Sequence, residues 1–292
     1  MSRRSLRLSI RFAVGLGAVP GIVLGMTIAD AGSGLVRAQG RLDARYAVTL
    51  GGVPFGKGAW LIDIREDQFT AVMSGATAGL IRVFASGRGS SAVRGTVSRG
   101  QLVASSYASS IITDTRQDDV RMAMSNGSVK DYVAEPPSFP HPDRVPLTEA
   151  HRRGVNDLMT ATLMPVPGTG DTFVPDACPR KLSVFDGRMR YDLQLAFKRL
   201  DKVKSEKGYQ GTVVVCAIYF SPVAGYIPAR AVIKYLIDLR DMEVWLAPIA
   251  GTRLMVPYRV TIPTPLGLGL MQATEFISVP QPARAASGSK PQ

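Results

Sequence analysis

Apolar and polar residues alternate with period two through most of this chain, and no other feature narrows its fold as much. From Leu42 to Leu50 (LDARYAVTL), residues Leu42, Ala44, Tyr46, Val48 and Leu50 fall on one face, the signature of a strand buried on one side. The same pattern predicts strands at 53–64, 68–74, 79–85, 91–97, 101–112, 117–125 and 128–134. Gly51-Gly52, Gly87–Gly89, Arg99-Gly100 and Asn126-Gly127 read as turns between them. The Asn-Gly pair is the strongest short-range hairpin signal. Gly56 and Gly58 interrupt the second strand, and glycine inside a strand marks a bulge or bend.

The texture changes at 135–147, where Pro136, Pro137, Pro140, Pro142 and Pro146 predict an extended crossing segment. A short helix is expected at 155–164, with Asn156 as its cap, Asp157 at its positive end and Pro165 as its stop. Its apolar face would hold Val155, Leu158, Met159 and Thr162. A Gly/Pro-rich loop covers 165–180. Strands resume at 182–185, 190–200, 211–220, 243–247, 253–262 and 268–279. Ala229, Val232, Ile233, Leu236 and Ile237 have helical spacing after Pro228, although the same residues suit a buried strand. The expected class is therefore mainly β: a strongly curved antiparallel sheet or barrel-like fold with one or two short helices. A sheet of this many strands has to curl, close or split.

Residues 1–38 read as a signal peptide. Arg3, Arg4, Arg7 and Arg11 precede an uncharged apolar run at 12–29, and Val36-Arg37-Ala38 offers a cleavage site near Ala38. Ala29-Asp30-Ala31 is a second such site, and an uncleaved anchor is the competing reading. Arg3-Arg4 also suits twin-arginine export. With no cysteine near the cleavage region, a lipid-anchored form is not expected. The remaining chain is expected to be a single β-rich domain, 39–281, followed by a disordered tail, 282–292. Localisation is expected to be the periplasm, without a stable membrane anchor.

The chain has 35 basic and 23 acidic residues. Five and one of these fall in the leader, so 30 face 22 in the remainder. These charges are scattered, and no nucleic-acid partner is expected. The two cysteines, Cys178 and Cys216, read as a disulfide in an oxidising compartment. Closing the loop between them would stabilise the fold by roughly 4 kcal/mol on chain entropy.

Catalytic signatures are missing: there is no Gly-x-Ser-x-Gly, His-Glu-x-x-His or Walker-type loop. His141 lies in a proline loop and His151 beside Arg152-Arg153, so both read as surface residues. Neither a metal site nor a cofactor is expected. Asp186, Arg188, Arg190 and Asp192 form a candidate anion-binding patch, with Arg188 and Arg190 on one strand face and the two aspartates in phase. The same alternation suits ion pairing beside a hairpin turn. Trp60 and Trp245 read as core fillers, and a curved sheet can enclose an apolar cavity.

Several pieces occur in a distinctive order: YAVTLGGVPFGKG, then GVNDLMTA, then VFDGRMRYD at 184–192, then WLAP at 245–248 and VPYRV at 256–260. This order resembles the exported bacterial proteins grouped as domain-of-unknown-function family 3108, over roughly residues 42–278. The resemblance implies an envelope location in Gram-negative bacteria and a β-rich, barrel-like fold. It implies no activity, so no catalytic residues follow from it. The expected function is a non-enzymatic binding or scaffold protein of the cell envelope, with a lipid or other apolar molecule, a glycan or an envelope protein as candidate partner. A hydrolase acting on an envelope polymer is the alternative.

Overall fold

The computed structural model of the protein describes residues 39–79, 86–98 and 100–281. The expected signal peptide, the C-terminal tail and nearly all of the strand expected at 79–85 lie outside the described residues. The seven strands before the proline segment are β1 (Gly40–Leu50), β2 (Val53–Ile64), β3 (Gln68–Thr77), β4 (Gly87–Ser98), β5 (Gln101–Thr113), β6 (Gln117–Ser125) and β7 (Ser128–Glu135). They form an antiparallel meander. Its β6–β7 hairpin turns on Asn126-Gly127, whose φ values of 50° and 66° are those the mirror-image type I′ turn requires. Gly87 and Gly89 are strand residues of β4, not a turn; both pair with β5, and Gly89 also pairs with Gly75 of β3, which holds them extended.

After the proline segment come α1 (Leu158–Ala161), β8 (Met164–Pro165), β9 (Arg180–Phe185), β10 (Arg190–Lys204), β11 (Lys207–Gly208) and β12 (Gln210–Ala224). Then follow α2 (Ala231–Asp238), β13 (Met242–Pro248), β14 (Leu254–Thr264) and β15 (Gly267–Pro280). One 15-stranded sheet runs in the order β7-β6-β5-β4-β3-β2-β1-β15-β14-β13-β12-β10-β9, with β11 beside β15 and β8 beside β14. Every pairing is antiparallel except β11–β15. The seam between the halves is β1, which pairs along its whole length with both β2 and β15.

The edges β7 and β9 are joined by the chain between them. Val155 N donates to Gly127 O (2.8 Å), Asn156 N to Ser183 O (2.9 Å) and Phe185 N to Asn156 O (3.0 Å). Tyr132 on β7 meets Phe185 on β9 edge to face, with ring centroids 5.1 Å apart. This bridging shortens the helix expected at 155–164 to four residues. Asn156 spends its backbone on β9, so it cannot act as the cap. Asp157 takes that place, its carboxylate accepting from Thr160 N at 2.9 Å. Met159, Thr160 and Ala161 are buried, whereas Leu158 of the expected apolar face is 41% exposed. The helix packs against β4, β5 and β9 and helps to fill the space inside the sheet.

That space is a hydrophobic core. Trp60, Phe69, Phe185, Tyr258 and Phe276 are each under 2% exposed, and Trp245 is 5% exposed. A second apolar cluster lies apart from it: Met164, Val166 and Cys178 pack on Leu195, Val214, Cys216, Val244, Leu246 and Met255. Residues 164–178 thus strap the sheet. Cys178 is bonded to Cys216 of β12, with Cα atoms 5.6 Å apart. Arg180 holds the strap by donating to the carbonyls of Pro165 and Ala177, each at 2.8 Å. With both faces covered, all five residues Val213 to Ala217 are buried. That is why β12 reads as a continuous apolar run.

Candidate functional site

Opposite one another across β1 to β5 stand Tyr46, Gly58, Gly75, Gly89 and Ile111. Three adjacent strands therefore present no side chain at one level of the sheet. The next row toward the core is Ala44, Trp60, Met73, Ser91 and Ser109. On the other side the row holds Val48, Gly56 and Thr77. The missing side chains leave a trough of about 380 Å³, walled by Tyr46, Val48, Phe55, Met73, Ile111 and Met271. Its volume lies within the range of small-molecule sites, roughly 300–1,000 Å³.

The glycines at the centre of this row are not demanded by the backbone. Gly58, Gly75 and Gly89 have no left-handed φ. A Cβ on Gly75 would find its nearest neighbour at 3.4 Å, and one on Gly89 at 3.6 Å, ordinary van der Waals distances. Gly58 is tighter, with Ser74 O at 3.0 Å from a Cβ. At Gly75 and Gly89 the consequence of glycine is empty space. Tyr46 is fixed by its hydroxyl, which donates to Pro257 O at 2.8 Å. Burial pushes its phenol pKa well above the ordinary value, so the ring stays neutral.

The other face of the same wall is also thin. Alternation turns Ala59, Ser74, Ala76 and Ser90 outward, beside a wider depression of about 780 Å³ rimmed by Arg45, Lys57, Arg88, Glu206 and Glu275. Glu275 is paired with Lys207 at 3.0 Å. This surface is more polar than the trough.

The residues expected to bind an anion do not form one patch. Asp186 caps its own turn, its Oδ1 accepting from Arg188 N (2.8 Å) and Met189 N (2.7 Å). Burial pushes its pKa up. Arg190 pairs with Asp192 at 2.7 Å, and Asp192 also accepts from Ser183 Oγ at 2.8 Å. Arg188 departs from both. It crosses to the far edge of the sheet, donating to Pro136 O (2.8 Å), Asp118 (3.1 Å) and Glu135 O (3.3 Å). The left-handed Gly187 (φ 92°) and the register shift between Arg190 and Tyr191 break the expected period-two phase.

Both histidines are held by local backbone. His141 Nδ1 accepts from Asp143 N at 3.2 Å. His151 Nδ1 accepts from Thr148 N at 3.1 Å, at the start of a short 3₁₀ turn. No group of three or more His, Cys, Asp or Glu side chains suited to a metal occurs among the described residues. Sequence reasoning missed the trough. Its signal was the recurrence of glycine at 56, 58, 75, 87 and 89, but alignment of those glycines depends on the register of two strand pairs.

A curled antiparallel sheet, cored on one side, strapped by a disulfide and carrying an apolar trough, defines a barrel-like β protein. A family model for proteins of unknown function (DUF3108) matches residues 45–274, and the chain belongs to that family. A crystal structure of a beta-barrel-like protein of domain of unknown function DUF1849 from Brucella abortus is similar at 5% identity and a TM-score of 0.42, covering 82% of this chain and 97% of that one. No curated protein matches.

Proposed function

We propose that this is a non-enzymatic binding protein of the bacterial cell envelope, exported to the periplasm with residues 1–38 removed, and that the trough takes an apolar ligand. The glycine row carries this reading. Three neighbouring strands forgo side chains at one level, and at two of those positions neither conformation nor packing requires it. The trough's described lining has no carboxylate or imidazole; its ionisable residues are Lys57 and Tyr46, and the Tyr46 hydroxyl is spent on Pro257 O. The disulfide suits an oxidising compartment.

Access is apolar as well. Phe55 of the trough is 38% exposed. The neighbouring β1–β2 and β14–β15 turns, joined by Gly51 N donating to Leu268 O at 3.0 Å, carry Val53 (48% exposed), Leu266 (78%) and Leu268 (46%). A lipid chain or similar molecule would enter past these residues.

Titration with a neutral phenylnaphthylamine probe tests the reading. The wild-type protein should give a saturable fluorescence rise. A Gly75→Leu/Gly89→Leu variant, filling the row, should lose it while its thermal melt stays cooperative. Undiminished probe binding in that folded variant would sink the trough as the site. Native mass spectrometry of protein purified from the envelope fraction should show a co-purifying apolar molecule; a glycan or a protein there instead would move the function to the outer depression.

A further inference from the structure

Another cavity lies away from the trough and the outer depression, beside the bridged sheet edges. It encloses about 250 Å³ between the proline segment, the β9–β10 turn and the start of α2, and four of its lining residues are arginines: Arg116, Arg144, Arg188 and Arg230. Such a concentration of guanidinium groups is electrostatically costly unless anions offset it. Asp118 takes two of them, accepting from Arg116 at 2.5 Å and from Arg188 at 3.1 Å. Asp186 lies behind the Arg188 turn, its carboxylate occupied by two backbone N–H groups.

The other two guanidiniums have no carboxylate partner among the described residues. Arg144 donates its Nη atoms to Gly225 O (2.6 Å) and Phe139 O (3.2 Å), while its buried Nε has no hydrogen-bond partner among the described residues. Each Nη carries a second N–H beyond these bonds, and Arg144 lines the cavity, so the guanidinium keeps donors to offer there. Arg230 is exposed and stands at the N-cap of α2. Among the described residues no side chain caps that helix end, and no acidic residue lies in its first turn, so its positive end is also unanswered.

We propose that this cavity binds a phosphate-type oxyanion, with Arg144 and Arg230 as its principal donors and Arg188, braced by Asp118, as a positioning group. The volume suits a phosphate or a small phosphomonoester, and planar guanidinium donors match the oxygens of such a group. Free phosphate and the headgroup of a phospholipid present the same chemistry. The site is independent of the trough.

Isothermal titration at constant ionic strength, with inorganic phosphate, glycerol phosphate and glycerol as ligands, tests it. Saturable binding of either phosphate, with none for glycerol, is the expected result. Tighter binding of glycerol phosphate assigns a headgroup, and tighter binding of inorganic phosphate the free ion. Arg230→Ala, which removes no internal bond of the fold, should weaken binding by about tenfold, the scale of one charge-assisted hydrogen bond. Arg144→Gln should weaken it at least as much. Phenylnaphthylamine binding in the trough should be unchanged in Arg230→Ala. Absence of saturable phosphate binding by the wild-type protein, or binding unaltered in Arg230→Ala, overturns the assignment.

Discussion

The two halves of this sheet are built from similar strands but differ in what covers them. In β1–β7 one face is packed on the core and the other meets solvent, so Val72 (47% exposed) and Val133 (45%) alternate with buried neighbours. In β9–β15 the strap at 164–178 adds a second apolar cluster, and strands such as β12 are buried on both sides. The difference separates two tasks. The double-covered half supplies packing density, while the single-covered half can leave out side chains at Gly58, Gly75 and Gly89 and keep a trough.

The largest effect expected from this comparison is at the strap. Replacing Cys178 and Cys216 by Ser should cost roughly 4 kcal/mol, read as a lower denaturant midpoint. A loss near zero would mean that the strap holds without its crosslink. Next comes paired truncation. Leu246→Ala, in the second cluster, should cost about 2–5 kcal/mol, whereas Val72→Ala on the exposed face of β3 should fall within about 0.5 kcal/mol. Similar costs at the two positions would erase the distinction between the halves.

A smaller effect is expected at α1. Asp157→Ala removes the N-cap and should cost about 1 kcal/mol. Burial pushes the Asp157 carboxyl pKa up from its ordinary 3.8. The folded state therefore holds this proton more tightly than the unfolded chain, and the associated stability is lost as pH rises through the folded pKa. Asp157→Asn keeps a capping oxygen and cannot ionise. Its stability relative to wild type should rise as pH increases above about 4, the unfolded value, measured by thermal melts from acid to neutral pH. A flat difference would show that the carboxyl has the same protonation in the folded and unfolded chain across that range.

The smallest stability change is expected at the row itself. Gly89→Ala places a Cβ where the nearest atom is 3.6 Å away. It should leave the melt unchanged or raise it slightly, because alanine restricts the unfolded chain by about 0.4–1 kcal/mol. It should also weaken phenylnaphthylamine binding less than the double leucine variant does. A large destabilisation would mean that the row serves packing after all.

Much of the fold was legible along the chain. The strand expected at 117–125 is β6 to the residue, and the one at 128–134 is β7 short of Glu135, because Asn126-Gly127 specifies its turn locally. Core positions Leu42, Ala44 and Tyr46 followed from alternation alone. The failures fall where long-range pairing overrides local preference. Asn156 is a good cap by residue type, but its backbone bridges to Ser183 and Phe185. Arg188 and Arg190 looked like one face, but Gly187 sends Arg188 toward Asp118, 70 positions away in the chain.

The amino-acid order by itself determined the class: period-two alternation, turn glycines and a lone cysteine pair call for a curled antiparallel sheet with one crosslink. These are local signals, carried by neighbours a few residues apart. The sites were decided only in three dimensions. Gly58, Gly75 and Gly89 become one trough because the register of β2, β3 and β4 sets them side by side. Arg116, Arg144, Arg188 and Arg230 share a cavity because the proline segment carries the chain across the sheet edges. Turn chemistry sets the register of single hairpins, but which residues line up across several strands, and how the edges close, depends on contacts between distant segments.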